Sequence, residues 1–489
     1  MTMRISANRI DMDDKVLQKP VLKDYAETLV TAYAGLAYTV DCTRANTFKL
    51  TLTADCTFTF SNPPVSGTAG TITLILIQDS SGSRTATWPA SVNWPGGTAP
   101  TLATTADTGT DILTFITTDA GTTWRGVHAV ANVETSLTQE LWTWGSGSYG
   151  QLGQNATTTR SSPTQVGALT TWARTSASTN SSFAVKTDGT LWAWGINSFG
   201  QLGLGDTTTR SSPTQVGALT TWANISLGPQ HLLAVKTDGT LWAWGNGGSG
   251  RLGLGDTTTR SSPTQVGALT TWAKVSAGDA HSLTVKTDGT LWVWGNNGYG
   301  RLGRGNTTSY SSPVQVGALT TWSTVSAGLR HSLAVKTDGT LWVWGRNVYG
   351  QLGMGDTADR SSPVQVGALT DWARVSASSA HSLAIKTDGT LWAWGFNSGG
   401  YLGVGNTVAR SSPTQVGALT DWLFVSSVNA HAVAIKTDGT LWAWGSGSSG
   451  QLGNGSAAGR SSPVQVGALD TWTQASAGNF HSLGVKRSA

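Results

Sequence analysis

The feature that most constrains the fold is a sequence unit of 50 residues, which is repeated seven times from residue 141 onward. Each copy opens with the pattern Leu-Trp-X-Trp-Gly, and no insertion or deletion separates one copy from the next. A fixed period near this length is typical of proteins whose units bury apolar faces against their neighbours. The copies begin at Leu141, Leu191, Leu241, Leu291, Leu341, Leu391 and Leu441.

One copy predicts how the unit folds. Asp288-Gly289 favours a two-residue type I′ hairpin turn, with Thr287 opposite Thr290. Side chains alternate along a strand, so this register assigns residues to faces. The residues predicted to share one face are His281, Leu283, Val285, Trp292 and Trp294.

Two further strands, at 263–266 and 272–278 in this region, bring the number in each unit to four. Seven four-stranded units predict an all-β fold, a seven-bladed β-propeller over 141–489, because radial repetition protects the sheet edges. A β-solenoid is the alternative, although its rungs are usually shorter and lack a tight Asp-Gly hairpin. We expect 141–145 to close the propeller by pairing antiparallel with 481–486, which removes an open sheet edge.

The first 140 residues predict a different architecture. Residues 1–38 are expected to form an N-terminal arm for attachment, with an apolar patch at 29–36. Residues 39–130 predict a small β-sandwich, since short alternating strands are separated by turn-rich loops. Residues 131–140 are predicted to be a linker. Apolar surface in this region would drive homo-oligomerisation if it were shared between chains.

Three segments carry a resemblance to a known repeat: LWVWGNNGYGRLG at 291–303, SSPVQV at 311–316 and VSAGLRHSLAVKTDG at 325–339. They resemble the regulator-of-chromosome-condensation propeller family, seven times over. In eukaryotic cells the resemblance implies a signalling or nucleotide-exchange propeller. Two features argue against that role: the copies are nearly identical, and no insertion or basic tail is present.

A second resemblance lies before the repeats, in FTFSNPPVSGTAG at 58–70, TWPASVNWPGGTAPTL at 87–102 and LTFITTDAGTTWRG at 113–126. This region is similar to a β-domain of bacteriophage tail-fibre and tail-associated proteins. The resemblance implies attachment through the N-terminal part, presentation of the C-terminal part to the host, and a trimer as the favoured assembly.

Composition excludes several partners. The net charge is +4, and only 12% of residues are charged, so no nucleic-acid partner is expected. No run of 18 apolar residues exists, so no membrane insertion is expected. Cys42 and Cys56 are the only cysteines, which leaves no zinc ligand set and fits synthesis in the host cytoplasm.

Catalysis, cofactors and metal binding are not expected either. The repeats after residue 140 contain no glutamate, although glycoside hydrolysis usually needs two carboxylates in one cleft. Twenty-one of the 24 tryptophans recur at three fixed repeat positions, which favours packing between blades over a sugar platform. We interpret one recurring histidine as packed rather than metal-binding; it stands at His231, His281, His331, His381, His431 and His481.

The copies differ mainly in two loops, one before this histidine and one after Trp-Gly. Because chain direction alternates within a blade, both loops are expected on one face of the propeller. Loops held by a rigid frame are where binding residues concentrate, although unconstrained drift would also produce such variation. The candidate binding residues are Tyr149, Phe199, Gln230, Asp279, Tyr299, Arg330, Arg346, Tyr349, Phe396 and Phe480.

These observations favour a bacteriophage virion structural protein, a tail fibre or receptor-binding protein on the outside of the particle. Its N-terminal region would hold other virion proteins, and its propeller would bind a host-surface receptor, either protein or glycan. The alternative is a signalling or nucleotide-exchange propeller.

Overall fold

The computed structural model divides the chain into two compact units, Met1–Leu137 and Thr138–Ala489. In the part that it describes, every regular element is a β-strand apart from single helical turns at Pro95–Gly97 and Gly248–Gly250. The all-β prediction is therefore confirmed, while most of the predicted linker lies outside the described residues. The described ranges are 3–6, 9–12, 15–18, 29–65, 69–79, 82–102, 110–130 and 139–487.

Three short strands occupy the start of the predicted arm. They are β1 (Met3–Ser6), β2 (Arg9–Met12) and β3 (Lys15–Gln18), and they pair antiparallel in chain order.

The arm predicted for 1–38 contains a strand of the next domain. β4 (Leu29–Ala34) lies parallel to β6 (Thr47–Leu52) as the edge strand of a six-stranded sheet. Ala34 is fully buried in the core, and Ala32 packs against it, because alternate residues of a strand point to the same side. The boundary predicted at residue 39 therefore falls inside the domain. A single edge strand with one apolar side resembles an isolated apolar patch in sequence.

The other strands of this domain are β5 (Ala37–Asp41), β7 (Cys56–Ser61), β8 (Gly70–Gln78), β9 (Ala86–Thr87), β10 (Val92–Asn93), β11 (Thr110–Thr117) and β12 (Trp124–Val130). From β4 to β9 the chain passes alternately between two sheets, and the strands within each sheet run parallel. β11 and β12 add an antiparallel hairpin to the larger sheet. Side chains including Phe48, Leu74 and Phe115 form one core.

The second unit is a seven-bladed β-propeller, and each blade is a four-stranded antiparallel sheet. Its strands are β13 (Gln139–Gly145), β14 (Arg160–Gln165), β15 (Trp172–Ala177), β16 (Ser181–Lys186), β17 (Leu191–Gly195), β18 (Arg210–Gln215), β19 (Trp222–Leu227), β20 (His231–Lys236), β21 (Leu241–Gly245), β22 (Arg260–Gln265), β23 (Trp272–Ala277), β24 (His281–Lys286), β25 (Leu291–Gly295), β26 (Tyr310–Gln315), β27 (Trp322–Ala327), β28 (His331–Lys336), β29 (Leu341–Gly345), β30 (Arg360–Gln365), β31 (Trp372–Ala377), β32 (His381–Lys386), β33 (Leu391–Gly395), β34 (Arg410–Gln415), β35 (Trp422–Val428), β36 (His431–Lys436), β37 (Leu441–Gly445), β38 (Arg460–Gln465), β39 (Trp472–Ala477) and β40 (His481–Arg487).

One blade joins the two ends of the repeat array, with the strand order β14, β13, β40, β39. The predicted closure is confirmed, because β13 and β40 pair antiparallel along their whole length. The carboxylate of Glu140 and the Nζ atom of Lys486 form an ion pair of 2.9 Å across this seam. Within the pairing, Trp144 lies opposite Ser482.

The hairpin of the repeat has a three-residue loop, 287–289, instead of the predicted two-residue turn. The backbone N–H of Lys286 donates to the carbonyl of Thr290 at 3.0 Å, and Gly289 has a φ of 76°. Asp288 accepts hydrogen bonds from the backbone and the hydroxyl of Thr290. Asp-Gly suits a type I turn followed by a left-handed glycine as well as it suits the shorter turn. The sequence signal is therefore correct for a hairpin and ambiguous for its register.

This extra loop residue moves the histidine and the tryptophans to opposite faces of the sheet. Thr284 lies opposite Trp292, and Ser282 lies opposite Trp294. The prediction that His281 shares the tryptophan face is therefore wrong. The same register recurs in the other blades.

The tryptophans pack much as predicted. Trp294 is fully buried, and its indole Nε1 donates to the carbonyl of Arg251 in the preceding blade at 2.8 Å. Trp272 is buried and meets Trp294 edge-on. Trp292 is half-buried, and the Nζ atom of Lys286 lies 3.9 Å from its ring centre. Two of the three recurring tryptophans therefore form the core between blades, and the third carries a lysine.

Candidate functional site

The two loops that vary between copies meet at one face of the propeller. The backbone N–H of Arg346, after Trp-Gly, donates to the carbonyl of Arg330, before the histidine, at 2.9 Å. Asn246 and Gln230 make the same contact in another blade. We call the face formed by these loops the varied face. The Thr-Asp-Gly turns and the Val-Gly-Ala-Leu segments form the opposite, constant face, which antiparallel strand order requires.

Three candidate residues come together at the junction of two adjacent blades. The guanidinium carbon of Arg346 lies 4.8 Å from the ring centre of Tyr299, and that of Arg330 lies 5.5 Å from it. A further arginine, Arg301, lies 5.3 Å from the same ring centre. We call Tyr299, Arg301, Arg330 and Arg346 the arginine site. Aromatic faces attract cations, and three guanidinium groups surround the ring of Tyr299.

Arg301 was not among the candidates predicted from the sequence, although the residues at its repeat position differ between copies. Four of the seven copies have glutamine there: Gln151, Gln201, Gln351 and Gln451. Each glutamine accepts a hydrogen bond from the backbone N–H two residues earlier. Arg251, Arg301 and Tyr401 depart from this pattern, and the departure from a buried structural role was the available clue.

Arg251 links two other candidates, Gln230 and Asp279. Its Nη1 atom lies 3.2 Å from the Gln230 Oε1 atom and 2.9 Å from the Asp279 carbonyl, and both oxygens accept a hydrogen bond. Its Nε–H donates to the Gly248 carbonyl. Arg251 thus makes three hydrogen bonds within the protein and links two blades.

The arginine site is electropositive and partly desolvated. Arg301 is only 4% exposed, and burial lowers the pKa of its guanidinium, with Arg346 and Arg251 acting in the same direction. Asp279 opposes this shift. Among the described residues, no carboxylate forms an ion pair with the three arginines of the site. An arginine keeps its charge at neutral pH, so the site carries three positive charges against the one negative charge of Asp279.

Aromatic side chains lie beside the arginine site on the same face. Tyr349, three residues after Arg346, is 46% exposed, and its ring centre lies 4.8 Å from that of Phe396. Phe396 also contacts Tyr401, whose ring stacks on His381. The candidates Tyr349 and Phe396 therefore form one aromatic cluster, in which Tyr349 is exposed and Phe396 is half-buried.

The remaining candidates, Tyr149, Phe199 and Phe480, do not join this group. Each is exposed on its own loop, at 47%, 37% and 39% respectively. In the described structure no ring contact links any of them to another candidate residue.

The recurring histidines connect blades inside the protein. His281 is fully buried, and its Nε2 atom lies 3.0 Å from the hydroxyl of Ser332 in the next blade. That hydroxyl donates to the carbonyl of Arg301, so the imidazole is the donor in the pair. Burial lowers the pKa of His331 to about 3. These imidazoles are neutral at pH 7 and out of reach of a ligand. The interpretation as packed residues agrees with this placement.

The constant face carries cations in a repeated structural role. Lys236 and Lys286 each lie over two tryptophan rings, and the same contact recurs in the other blades.

The described part of the chain holds no helix with the length and hydropathy that a membrane crossing requires.

Comparison with protein families agrees with the architecture of both units. A model described as "Regulator of chromosome condensation (RCC1) repeat" matches 140–185, 188–235, 238–285, 288–335, 338–385, 388–435 and 438–485. A second model of the same repeat matches six segments between 173 and 451. Residues 38–122 match a model described as "Putative phage tail fibre C-terminal domain". A sequence search of curated proteins gave no match.

Solved structures share the propeller fold. The crystal structure of human WBSCR16 is 20% identical, with a TM-score of 0.65 over 72% of this chain and 99% of that one. Prp20p from Saccharomyces cerevisiae is 20% identical, with a TM-score of 0.65 over 73% and 93%. Yeast RCC1 (Prp20) bound to Kap60 is 20% identical, with a TM-score of 0.63 over 72% and 89%.

At this level of identity the structural likeness establishes the fold alone. The repeat model, in contrast, matches more than half of the sequence, at every one of the seven copies. The chain therefore belongs to the regulator of chromosome condensation (RCC1) repeat family.

Proposed function

We propose that this chain is a structural protein of a bacteriophage virion, a tail fibre or receptor-binding protein that presents its propeller to the host surface. The observation that carries the proposal is the match of 38–122 to a phage tail fibre domain, which precedes the propeller in the chain. The varied face of the propeller would bind the receptor, and the constant face would serve as scaffold.

The proposal assigns binding rather than catalysis to the propeller. The recurring histidines are buried and neutral at pH 7, so they are unsuited to proton transfer with a substrate. Asp206, Asp256 and Asp356 are engaged with arginines four residues later in the chain. The tyrosine and arginine side chains of the varied face are residue types that anchor interfaces.

The N-terminal unit would attach the chain to other virion proteins and drive homo-oligomerisation, with a trimer favoured. Tyr33, Leu36 and Val65 are 79%, 78% and 75% exposed in this unit. Large apolar side chains exposed to this extent suit contacts between chains. Several propellers held together would multiply weak receptor contacts.

The alternative is a signalling or nucleotide-exchange propeller. The solved relatives include Prp20p, whose description names binding to Gsp1p and histones. At 20% identity this likeness concerns the fold alone.

Electron microscopy of particles from the phage that encodes the chain tests the proposal. An antibody raised against the purified propeller should label an external fibre, and preimmune serum should not. Purified particles that lack the chain by both labelling and mass spectrometry would overturn the virion assignment.

A further inference from the structure

We propose that the arginine site binds carboxylate or phosphate groups carried on a saccharide chain. This inference deepens the proposed receptor-binding function and rests on it. It assigns the ligand chemistry to Tyr299, Arg301, Arg330 and Arg346, on the varied face where two blades meet.

The first argument is unused hydrogen-bonding capacity. In the described structure, the buried Nε atoms of Arg301 and Arg346 have no hydrogen-bond partner. Arg301 makes one bond, from Nη1 to the Leu329 carbonyl, whereas Arg251 at the equivalent position makes three. A guanidinium presents five donors in a planar fork that matches carboxylate and phosphate oxygens. The site therefore holds donors that the protein does not use.

The second argument is charge. Three guanidinium groups approach one tyrosine ring within 5.5 Å, and their mutual repulsion opposes such an arrangement. Asp279 attracts Arg301, but its single negative charge leaves the three cations in excess. Partial burial strengthens each electrostatic contact because less solvent screens it. An anionic group entering between the arginines would relieve the repulsion.

The third argument is blade specificity. The four residues of the site recur together in no other copy: at the positions of Arg330 and Arg346, the remaining blades carry no arginine. A feature of the scaffold would recur with the 50-residue period, as the lysine–tryptophan contacts do. The site is therefore an addition to the repeat, confined to one place on the varied face.

The neighbouring aromatic surface favours a saccharide over an acidic protein. Tyr349 is exposed three residues after Arg346 and contacts the half-buried ring of Phe396, and flat aromatic faces pack against the C–H faces of sugar rings. A site that combines apolar rings with a few convergent polar groups is typical of small-ligand recognition. An acidic protein surface would instead match cations spread over a wide area.

The test measures binding of the full chain to defined polymers by isothermal titration calorimetry at low salt. Polygalacturonate presents carboxylates, phosphorylated dextran presents phosphates, and plain dextran is the neutral reference. Polyglutamate represents an acidic protein. We expect binding to one or both anionic polysaccharides and at least about tenfold weaker binding to dextran and polyglutamate. The anionic polysaccharide that binds more tightly shows whether the site prefers carboxylate or phosphate.

The test variant uses residues that other blades already tolerate. R301Q, R330A and R346S copy Gln351, Ala380 and Ser446 at the same repeat positions. The combined variant should keep the thermal midpoint of the wild type and lose at least about tenfold in affinity. If the combined variant fails to fold, R330A and R346S separately serve the same purpose, since both side chains lie in loops.

The matched control removes three positive charges from exposed positions outside the site. R174Q, K274Q and R374Q copy Gln474 at the same repeat position. This control should bind within about twofold of the wild type. If the control and the test variant lost affinity equally, binding would reflect general electrostatic attraction to the protein. That result would overturn the proposed arginine site.

Two further results would contradict the inference. If the chain bound polyglutamate as tightly as the polysaccharides, with the same loss of affinity in R346S, the partner of the site would be an acidic protein. If the chain bound none of the anionic polymers, the proposal that the arginine site binds anionic groups would be wrong. Either result leaves labelling of the virion unaffected, so failure of this inference and failure of the proposed function are distinguishable.

Discussion

At the scale of single residues, contacts between a histidine and a serine join neighbouring blades. The His331 Nε2 atom lies 3.0 Å from the hydroxyl of Ser382, and this contact recurs at five blade junctions. His381 lacks it in the described structure, because Ala432 stands where five of the other six copies have serine. Among the described histidines of the repeat, His381 is therefore the one whose two ring nitrogens both lack a hydrogen-bond partner, whereas the other five lack a partner only at Nδ1.

This difference gives a stability prediction. Ala432→Ser should supply the missing acceptor for His381 and raise the free energy of unfolding by about 0.5–1.5 kcal/mol. Ser382→Ala should lower it by about 1–3 kcal/mol, because it leaves His331 unpaired. Urea unfolding monitored by tryptophan fluorescence measures both. A destabilised A432S variant would show that the junction lacks room for the hydroxyl.

Three of the four residues of the arginine site were predicted from the sequence, and one was not. Tyr299, Arg330 and Arg346 lie in loops that differ between copies, so comparison of the copies found them. Arg301 stands in a position that is a structural glutamine in four of the seven copies, and only the structure shows that its side chain lies near Tyr299. Proximity across two blades depends on packing that a single repeat does not encode.

At the scale of elements, the hairpin of each blade was predictable and its register was not. Strand number, Asp-Gly turns and apolar alternation all followed from the repeat. Two loop geometries fit Asp-Gly, and the hydrogen bond of Asp288 to Thr290 favours the longer one. Because side chains alternate, one extra loop residue reversed the assignment of His281 relative to the tryptophans.

The tryptophan placement predicts unequal costs of truncation. Trp294→Ala should cost about 3–5 kcal/mol, since the side chain is fully buried between blades. Trp292→Ala should cost less, because that ring is half-buried beneath Lys286. Tyr299→Ala, in a loop, should cost least. Urea denaturation of the three variants gives the order, and a Tyr299→Ala cost equal to that of Trp294→Ala would contradict the assignment of Tyr299 to binding.

At the scale of the whole molecule, the buried histidines make the propeller sensitive to acid. Burial lowers the pKa of His231, His331, His381, His431 and His481 to about 3, against about 6.5 in the unfolded chain. The unfolded state therefore binds protons first as the pH falls. Their contribution to stability is complete above about pH 6.5 and is lost as the pH falls toward about 3.

Each such histidine should remove about 1.4 kcal/mol of stability per pH unit within this window. The thermal midpoint of the propeller should therefore fall steeply between about pH 6.5 and 4.5, above the range in which aspartates titrate. His331→Ser, which copies Ser181 of the first blade, should give a shallower fall. A midpoint unchanged across this range would show that the imidazoles are not buried in the neutral form.

The two units should also separate in their assembly. Residues 138–489 form a closed propeller and should be monomeric, because β13 and β40 leave no open seam. Residues 1–137 should self-associate through exposed apolar residues such as Tyr33 and Leu36. Analytical ultracentrifugation of the two fragments measures this. A monomeric N-terminal fragment with an oligomeric propeller would reverse the assignment.

The central claim is that the varied face of the propeller attaches the virion to its host. Competition of phage adsorption by the purified full-length chain tests it most directly. The wild type and the R174Q/K274Q/R374Q control should both slow adsorption to host cells, and the R301Q/R330A/R346S variant should compete at least about tenfold less well. Equal competition by both variants, or none by the wild type, would contradict the account.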